Sequence, residues 1–514
     1  MREVWNIVII SNKDEDYDLE YRNLLDEMTS VEVHNKIRFL VYEFEKEPAN
    51  TKIFEYDFNN QRVDLPTANC ADLFNKEHMV HFFKTNVFKE DTQDISNKYI
   101  VITWGHGAGL GIFAKIEKIA ETKAFDHHLE LAMFEESVFN EAKNSAREIV
   151  ARQAFLSANS IIPVTDLGSE MVPVIDKLSL RDDLESSHGN SERVRDFKND
   201  LKSLIPEKLK MITGNDLNFI FANSLPTQVK IDVLITINCY TQCFEFGNSL
   251  KDTVNLIVAP QTMIPFEGIH YREIFAFIEN YEEDHIDSQG IANVITHSFW
   301  TKYLFTKTGK AFIARYKDFP LERTSFSSNN LNFYSEIESV IGEVGFLLKE
   351  LKKKSEDIKF IIINARKRCQ DPTAAKDYGM IDFTVFFQNL MIESNFKRQS
   401  FSDELKESIK KLNGLYSRFV KDLRRQCCIS MCMSQAQSYI QFDGNVDQRK
   451  SEILISSPSP FFLSIFFPGT KHTRMIELLR SGIPPTVNRA NPHQYDYSDW
   501  MDFVTTLYSG THTS

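Results

Sequence analysis

The sequence predicts an α/β fold, a mostly parallel sheet flanked by helices, and three observations carry that expectation. Two apolar runs, Tyr99–Trp104 and Asp232–Ile237, are each long enough for one buried strand. The second continues into a helix-like stretch, Gln242–Leu250, and a third strand-like run, Val254–Val258, the order of a βαβ unit. The opening of the chain repeats that order, with a strand over Val4–Ile10 and a helix over Tyr17–Met28.

Each of the two buried runs ends in a reactive residue. Tyr99–Trp104 breaks into Gly105-His106-Gly107-Ala108-Gly109, which presents an imidazole at a strand's carboxyl end, where open α/β sheets keep their chemistry. The glycines allow a sharp turn and leave amide N–H groups bare beside the ring. Asp232–Ile237 is followed by Asn238 and then Cys239, ahead of the helix-like stretch. The first turn of a helix stabilises an anion, so a thiol there is biased toward thiolate. If the two strands are neighbours, Cys239 and His106 form a dyad.

These residues resemble the clostripain-like cysteine peptidases of the caspase-haemoglobinase clan. The family's His-Gly follows a strand, as His106-Gly107 does, and its nucleophile follows the next strand with a glutamate six positions on, here Cys239 and Glu245. The opening strand and helix, PFFLSIFFP (Pro460–Pro468) and SDWMDFVTTLY (Ser498–Tyr508) extend the likeness to nearly the whole chain. The resemblance implies a caspase-like core, read here over 1–320; periodicity adds a helical insert at about 115–215 and a mainly helical C-terminal region over 321–514 packed on the core. It implies an endopeptidase in which Cys239 is the nucleophile and His106 the base and acid, with Gly107 and Cys239 donating backbone N–H groups to the oxyanion. Such donors supply about 3–4 kcal/mol each. No third acidic partner is assigned.

Each residue also has a plainer reading. Cys239 could be a core cysteine, since that residue type is often buried. His106 could be a satisfied turn histidine and Gly107 simply a turn glycine. Cys243, one helical turn later, is the same residue type without a strand end behind it. A nucleotide loop is not expected, because G-x-G-x-x-G fails at Leu110 and no Walker lysine follows.

Substrate preference departs from the family. The resemblance implies an aspartate two residues before the nucleophile and acids after the next strand, suited to arginine or lysine at the cleavage position. Here those positions are Ile237 and Gln261-Thr262-Met263. A cationic side chain would lose its water there without an ion-pair partner, so a neutral or apolar P1 residue is expected. Glu267 is the acid that would restore the charge.

Composition fits an ordinary globular protein, with 42% hydrophobic and 25% charged residues over 514 positions. Lys+Arg 59 against Asp+Glu 72 gives −13, which argues against a generic nucleic-acid or anionic-membrane binder. No signal peptide or uninterrupted transmembrane run is read. Seven cysteines form an odd set without framework spacing, so a reducing, cytoplasmic compartment is expected, unlike the family's secreted members. No cofactor is expected, and calcium is implied by the resemblance alone. His127-His128 point apart on a helix, and Cys427-Cys428-x3-Cys432 lacks a CxxC partner.

From His106 to Cys239 is 239 − 106 = 133 positions, more than the resemblance implies. Much of the excess, Phe125–Phe155, carries helical periodicity, and Glu185–Ser191 reads as an exposed loop. The insert is a lid, a docking surface for a regulatory partner or a cleavable linker; a decorative insertion is the alternative. Helices are also expected over Ala71–Asn86, Leu331–Lys354 and Ser402–Ser434, and a strand over Phe461–Phe467. The function expected is intracellular, regulated cleavage of a protein or peptide substrate, by analogy of fold in bacterial defence or cell death. The alternative is a catalytically silent scaffold or interaction module.

Overall fold

The computed structural model describes residues 2–13, 18–31, 36–45, 47–56, 61–88, 95–107, 110–116, 209–262, 264–265, 267–281, 285–302, 325–367, 369, 380–396, 401–433, 438–441, 463–467 and 495–507. All belong to one compact unit, Met1–Glu117 with Leu209–Ser514. The helical expectation for Phe125–Phe155, the pair His127-His128 and the loop Glu185–Ser191 lie outside the described residues.

The first part of the chain runs β1 (Arg2–Lys13), α1 (Asp18–Thr29), β2 (Ile37–Glu45), β3 (Glu47–Tyr56) and β4 (Arg62–Leu65). It continues through α2 (Lys76–Phe82) and β5 (Ile95–Trp104) to β6 (Gly111–Ile116). It resumes with β7 (Leu209–Thr213), α3 (Gly214–Ala222), β8 (Ile231–Ile237), α4 (Phe244–Leu250) and β9 (Val254–Ala259). Helices α5 (Tyr271–Asn280) and α6 (Ser288–Trp300) follow, then β10 (Ser325–Asn330), α7 (Tyr334–Lys354) and α8 (Glu356–Lys367). The last described elements are β11 (Met380–Asp382), α9 (Phe383–Phe396), α10 (Asp403–Arg418), β12 (Cys428–Met433), β13 (Ser438–Gln441), β14 (Ser464–Phe466) and α11 (Tyr497–Leu507).

Ten strands form one sheet in the order β13-β12-β10-β9-β8-β5-β1-β2-β3-β4. The central five, β9-β8-β5-β1-β2, are parallel, and antiparallel strands extend both margins. Chain on both sides of residue 320 thus contributes to one sheet.

Both faces of the parallel centre are covered, which is why its strands read as continuous apolar runs. Side chains alternate between two cores. Tyr99 and Val101 of β5 join Leu234 of β8 on one face, packed with Phe82 of α2, Phe221 of α3 and Ile337 of α7. Ile100, Ile102 and Trp104 join Val233, Ile235 and Ile237 on the other, under Leu24 of α1, Phe275 of α5 and Ile295 of α6. The result is a three-layer α/β sandwich whose parallel strand ends lie together.

Two expectations are corrected. Ser402–Ser434 is not helical throughout: α10 runs to Arg418, a π-helical turn covers Phe419–Leu423, and the chain becomes strand β12 at Cys428. The free edge of β10 accounts for this, since it takes Phe326↔Cys432 and Ser327↔Met431 in antiparallel register. The helix after Cys239 starts at Phe244 rather than Gln242 and is capped at Cys243.

Hairpin β6–β7 sits beside the His106 turn. Gly107 bridges to Ile112, and Ile116 lies opposite Leu209. The long segment between β6 and β7 therefore leaves and re-enters the described chain at one paired position.

Candidate active site

Strands β5 and β8 are parallel neighbours, with Trp104 opposite Ile237. His106 and Cys239 each lie two residues beyond that pair, so the register brings the two tips side by side. The backbones tie directly: the N–H of Gly105 donates to the carbonyl of Ile237 at 3.2 Å.

Two features hold the His106 turn against the nucleophile strand. Gly105 has φ +149°, a conformation side chains disfavour, and it lets the chain turn away from Trp104. Gly107 lies flat on the Cys239 peptide. A Cβ there would meet the Cys239 carbonyl oxygen at 2.2 Å and the Cys239 nitrogen at 2.8 Å. Only glycine fits that approach without moving backbone.

Asn238, fully buried between Ile237 and Cys239, is the residue that reading the sequence missed. Its Nδ2 donates to the carbonyl of Gly105 at 2.9 Å and of His106 at 3.1 Å. Its Oδ1 accepts from the Thr103 hydroxyl at 2.6 Å. One side chain thus satisfies three polar groups of the opposite strand and turn. A polar residue directly after a mainly apolar strand was the available signal.

The Cys239 turn is held separately. Tyr240 adopts φ +66°, in the left-handed region, which costs about 1–3 kcal/mol in a non-glycine residue. Its N–H donates to the Thr262 carbonyl at 3.0 Å, and the N–H of Gln242 donates to the Pro260 carbonyl at 2.9 Å. The Thr241 hydroxyl donates to the Asn238 carbonyl at 2.8 Å and accepts from Thr236 at 2.6 Å.

Exposure separates the thiols. Cys239 is half-buried, whereas the other six cysteines are buried. Burial first, then the charge of Glu245, pushes the Cys243 thiol well above its ordinary value. The helix start belongs to Cys243, not Cys239, so the expected bias of Cys239 toward thiolate by a helix N-terminus does not hold. Glu245, six positions after Cys239, accepts a short hydrogen bond from the Tyr497 hydroxyl of α11.

A family model for the clostripain family, peptidase family C11, matches residues 209–474 of the chain, just over half of it. The chain belongs to the clostripain family. It is a cysteine endopeptidase, with Cys239 inside the matched residues and His106 brought to it by the strand register. No curated protein matches the sequence.

Three solved clostripain-family structures are similar. A secreted C11 cysteine protease from Bacteroides thetaiotaomicron, "iotapain", is 10% identical over 91% of this chain and 94% of its own, with TM-score 0.45. An inactive zymogen C11 protease from Parabacteroides distasonis is 11% identical over 94% and 95%, with TM-score 0.43. A secreted C11 cysteine protease from Bacteroides thetaiotaomicron, in complex with an irreversible peptide inhibitor, is 12% identical over 98% and 99%, with TM-score 0.43.

The expected substrate-binding residues of this clostripain-family chain are placed differently from the sequence reading. Ile237 is 0% exposed and packs in the apolar layer with Ile264, Ile269 and Tyr271. Gln261 and Thr262 are also buried. Gln261 donates to Asp382 at 2.8 Å, and the Thr262 hydroxyl accepts from the Ser325 N–H at 3.0 Å. These two are buried against protein rather than facing a groove, each holding one protein partner, while Oε1 of Gln261 has none. Met263 lies outside the described residues.

The loop after β9 instead borders the thiol through Ile264, whose carbonyl is 4.0 Å from Cys239 Sγ. Lys302, buried behind this loop, donates to the carbonyls of Glu267 at 2.8 Å and Ile269 at 2.9 Å. Its partner carboxylate is Glu27, 3.7 Å away. Burial lowers the Lys302 pKa, and Glu27 and Glu267 partly restore it.

Among the described residues, no group of three or more His, Cys, Asp or Glu is placed to hold a metal ion. Cys427, Cys428 and Cys432 are buried, and burial raises each thiol. No helix of the described residues is long and apolar enough to cross a membrane.

Proposed function

We propose that Cys239 and His106 are the catalytic pair of this peptidase. The observation that carries the reading is the register Trp104↔Ile237 with Gly107 seated on the Cys239 backbone. His106 takes the Cys239 proton, the thiolate attacks the scissile carbonyl, and His106 returns the proton to the leaving amine. Water, deprotonated by the same imidazole, then hydrolyses the acyl-enzyme. The N–H groups of Gly107 and Cys239 are the donors for the oxyanion. Their closeness supports this pairing, since a single oxygen must reach both.

The P1 residue we propose is neutral, with an apolar side chain favoured. The support is that the positions where the resemblance implies acids to pair with a cationic P1 side chain hold Ile237, Gln261 and Thr262, none of them charged. Cleavage of a peptide library by the purified chain tests this. Enrichment of neutral P1 residues is expected, and dominance of arginine or lysine overturns it.

The setting we propose is regulated proteolysis in a reducing compartment, the cytoplasm. Seven cysteines without framework spacing support the compartment. A regulatory partner, or a cut within Glu185–Ser191, would act through the segment between β6 and β7, because the hairpin bridges to Gly107. A role in bacterial defence or cell death rests on likeness of fold alone. A nick at Glu185–Ser191 is expected to change the rate of peptide hydrolysis, and unchanged kinetics contradict the regulatory role.

A further inference from the structure

The Cys239 turn is anchored on Pro260 and Thr262, and the residue between those two anchors reaches deep into the C-terminal part of the chain. Gln261, 1% exposed, donates through Nε2 to Oδ2 of Asp382, itself 1% exposed, at 2.8 Å. Its neighbours on either side supply the carbonyls that hold Gln242 and Tyr240. Asp382 is fixed in turn: Oδ1 accepts from the Val385 N–H at 2.9 Å, and its strand β11 pairs with β14 through Asp382↔Ser464. The charge of Asp382 also acts on Arg424, a fully buried guanidinium.

Burying a carboxylate costs several kcal/mol unless it is paired, and a neutral acceptor would hold an amide N–H as well. Asp382 therefore serves more than one partner: it caps Val385, acts on Arg424 and holds the Gln261 amide. That glutamine sets the height of the loop on which the left-handed Tyr240 backbone hangs, directly after the nucleophile.

We infer that Gln261 and Asp382 are positioning residues for the reaction: they lock the 260–262 loop and, through Tyr240 and Gln242, the direction of Cys239 Sγ relative to His106. Neither touches substrate. The pair couples β11 and the start of α9, more than 120 positions along the chain, to the nucleophile. This inference rests on the Cys239/His106 reading above.

The test uses the full chain and two readouts, steady-state peptide hydrolysis and the pH dependence of Cys239 alkylation by iodoacetamide. The other six cysteines are buried, so native alkylation reports Cys239. Gln261→Met keeps the volume, removes the amide and leaves the cap on Val385. A thiol turned away from the imidazole loses its counter-charge, so the alkylation midpoint rises by about one pH unit. The same variant lowers kcat about tenfold, with KM within about threefold of wild type, because geometry rather than affinity is lost. Asp382→Ala matches that loss, the double variant is no worse than either single one, and Asp382→Asn, which still accepts from Gln261, restores most of the rate. A Gln261→Met protein that melts cooperatively and keeps the wild-type midpoint and kcat overturns the inference, as do losses that add in the double variant. Should Gln261→Met not fold, Gln261→Asn, one methylene shorter, decides on the same readouts. Alkylation needs no peptide, so a wild type that alkylates but cleaves nothing sinks the peptidase reading while the positioning test still runs.

Discussion

The two strand tips that meet at the site are held by opposite means. The His106 tip depends on glycine and on the other strand: Gly105 lets it turn, Gly107 lets it lie flat, and Asn238 of the other strand donates to the carbonyls of Gly105 and His106. The Cys239 tip is strained, with a left-handed Tyr240 held down by the 260–262 loop. The base is therefore borrowed by the nucleophile strand. Damage on the Cys239 side should disturb both partners, whereas damage confined to the histidine turn should leave the thiol in place.

Substitutions that break this asymmetry fall in a clear order. Gly107→Ala puts a Cβ against the Cys239 peptide and pushes the His106 turn off it, so it is expected to lower kcat/KM by about 10²-fold or more, measured with a fluorogenic peptide. Asn238→Ala strands two buried carbonyls and the Thr103 hydroxyl. It should cost about 2–3 kcal/mol in denaturant unfolding and lower kcat more than it raises KM. Thr241→Val removes the donor to the Asn238 carbonyl and ends the Thr236 contact. A loss of about 1 kcal/mol is expected, with a several-fold lower rate. Cys243→Ala is the smallest: about 1 kcal/mol of stability from the small cavity, and hydrolysis within about twofold of wild type. Equal rate losses for Cys243→Ala and Gly107→Ala would mean that the whole 239–243 segment, not the tip contact, sets the activity.

The thiols sharpen the same contrast. Burial and Glu245 hold the Cys243 thiol protonated across the neutral range, because a raised thiol pKa delays ionisation to higher pH. One fast-reacting cysteine is expected in thiol titration of the native chain below about pH 9. Two fast thiols would contradict the difference in exposure on which the site assignment depends.

How much of this was legible in the sequence follows from burial. Strands β5 and β8 were readable because both of their faces are covered, which leaves mainly apolar runs. Their adjacency was a condition that the residues alone left open, and only the family resemblance implied it. Strand β10, Ser325–Asn330, carries almost no apolar signal, yet is buried between β9 and β12. Its strand character comes from the edges it fills, which no local pattern encodes. Strand β12 was hidden for the same reason inside an apparently helical stretch. Asn238 and Gln261 were misjudged or missed because their partners, His106 and Asp382, lie more than 120 positions away in sequence. Ile237, Gln261 and Thr262 were placed in the substrate pocket from the motif's spacing, but side-chain direction and depth decide that, and spacing gives neither.

The central claim is that one thiol at one strand tip is activated by one imidazole at the next. It is tested most directly by labelling the native chain with a peptidyl acyloxymethyl ketone and mapping the adduct by mass spectrometry in wild type, Cys239→Ala, Cys243→Ala and His106→Ala. The account predicts a single adduct on Cys239 that survives Cys243→Ala, is absent in Cys239→Ala and slows at least about tenfold in His106→Ala. Labelling on another cysteine, or a Cys239 rate indifferent to the loss of His106, would contradict it.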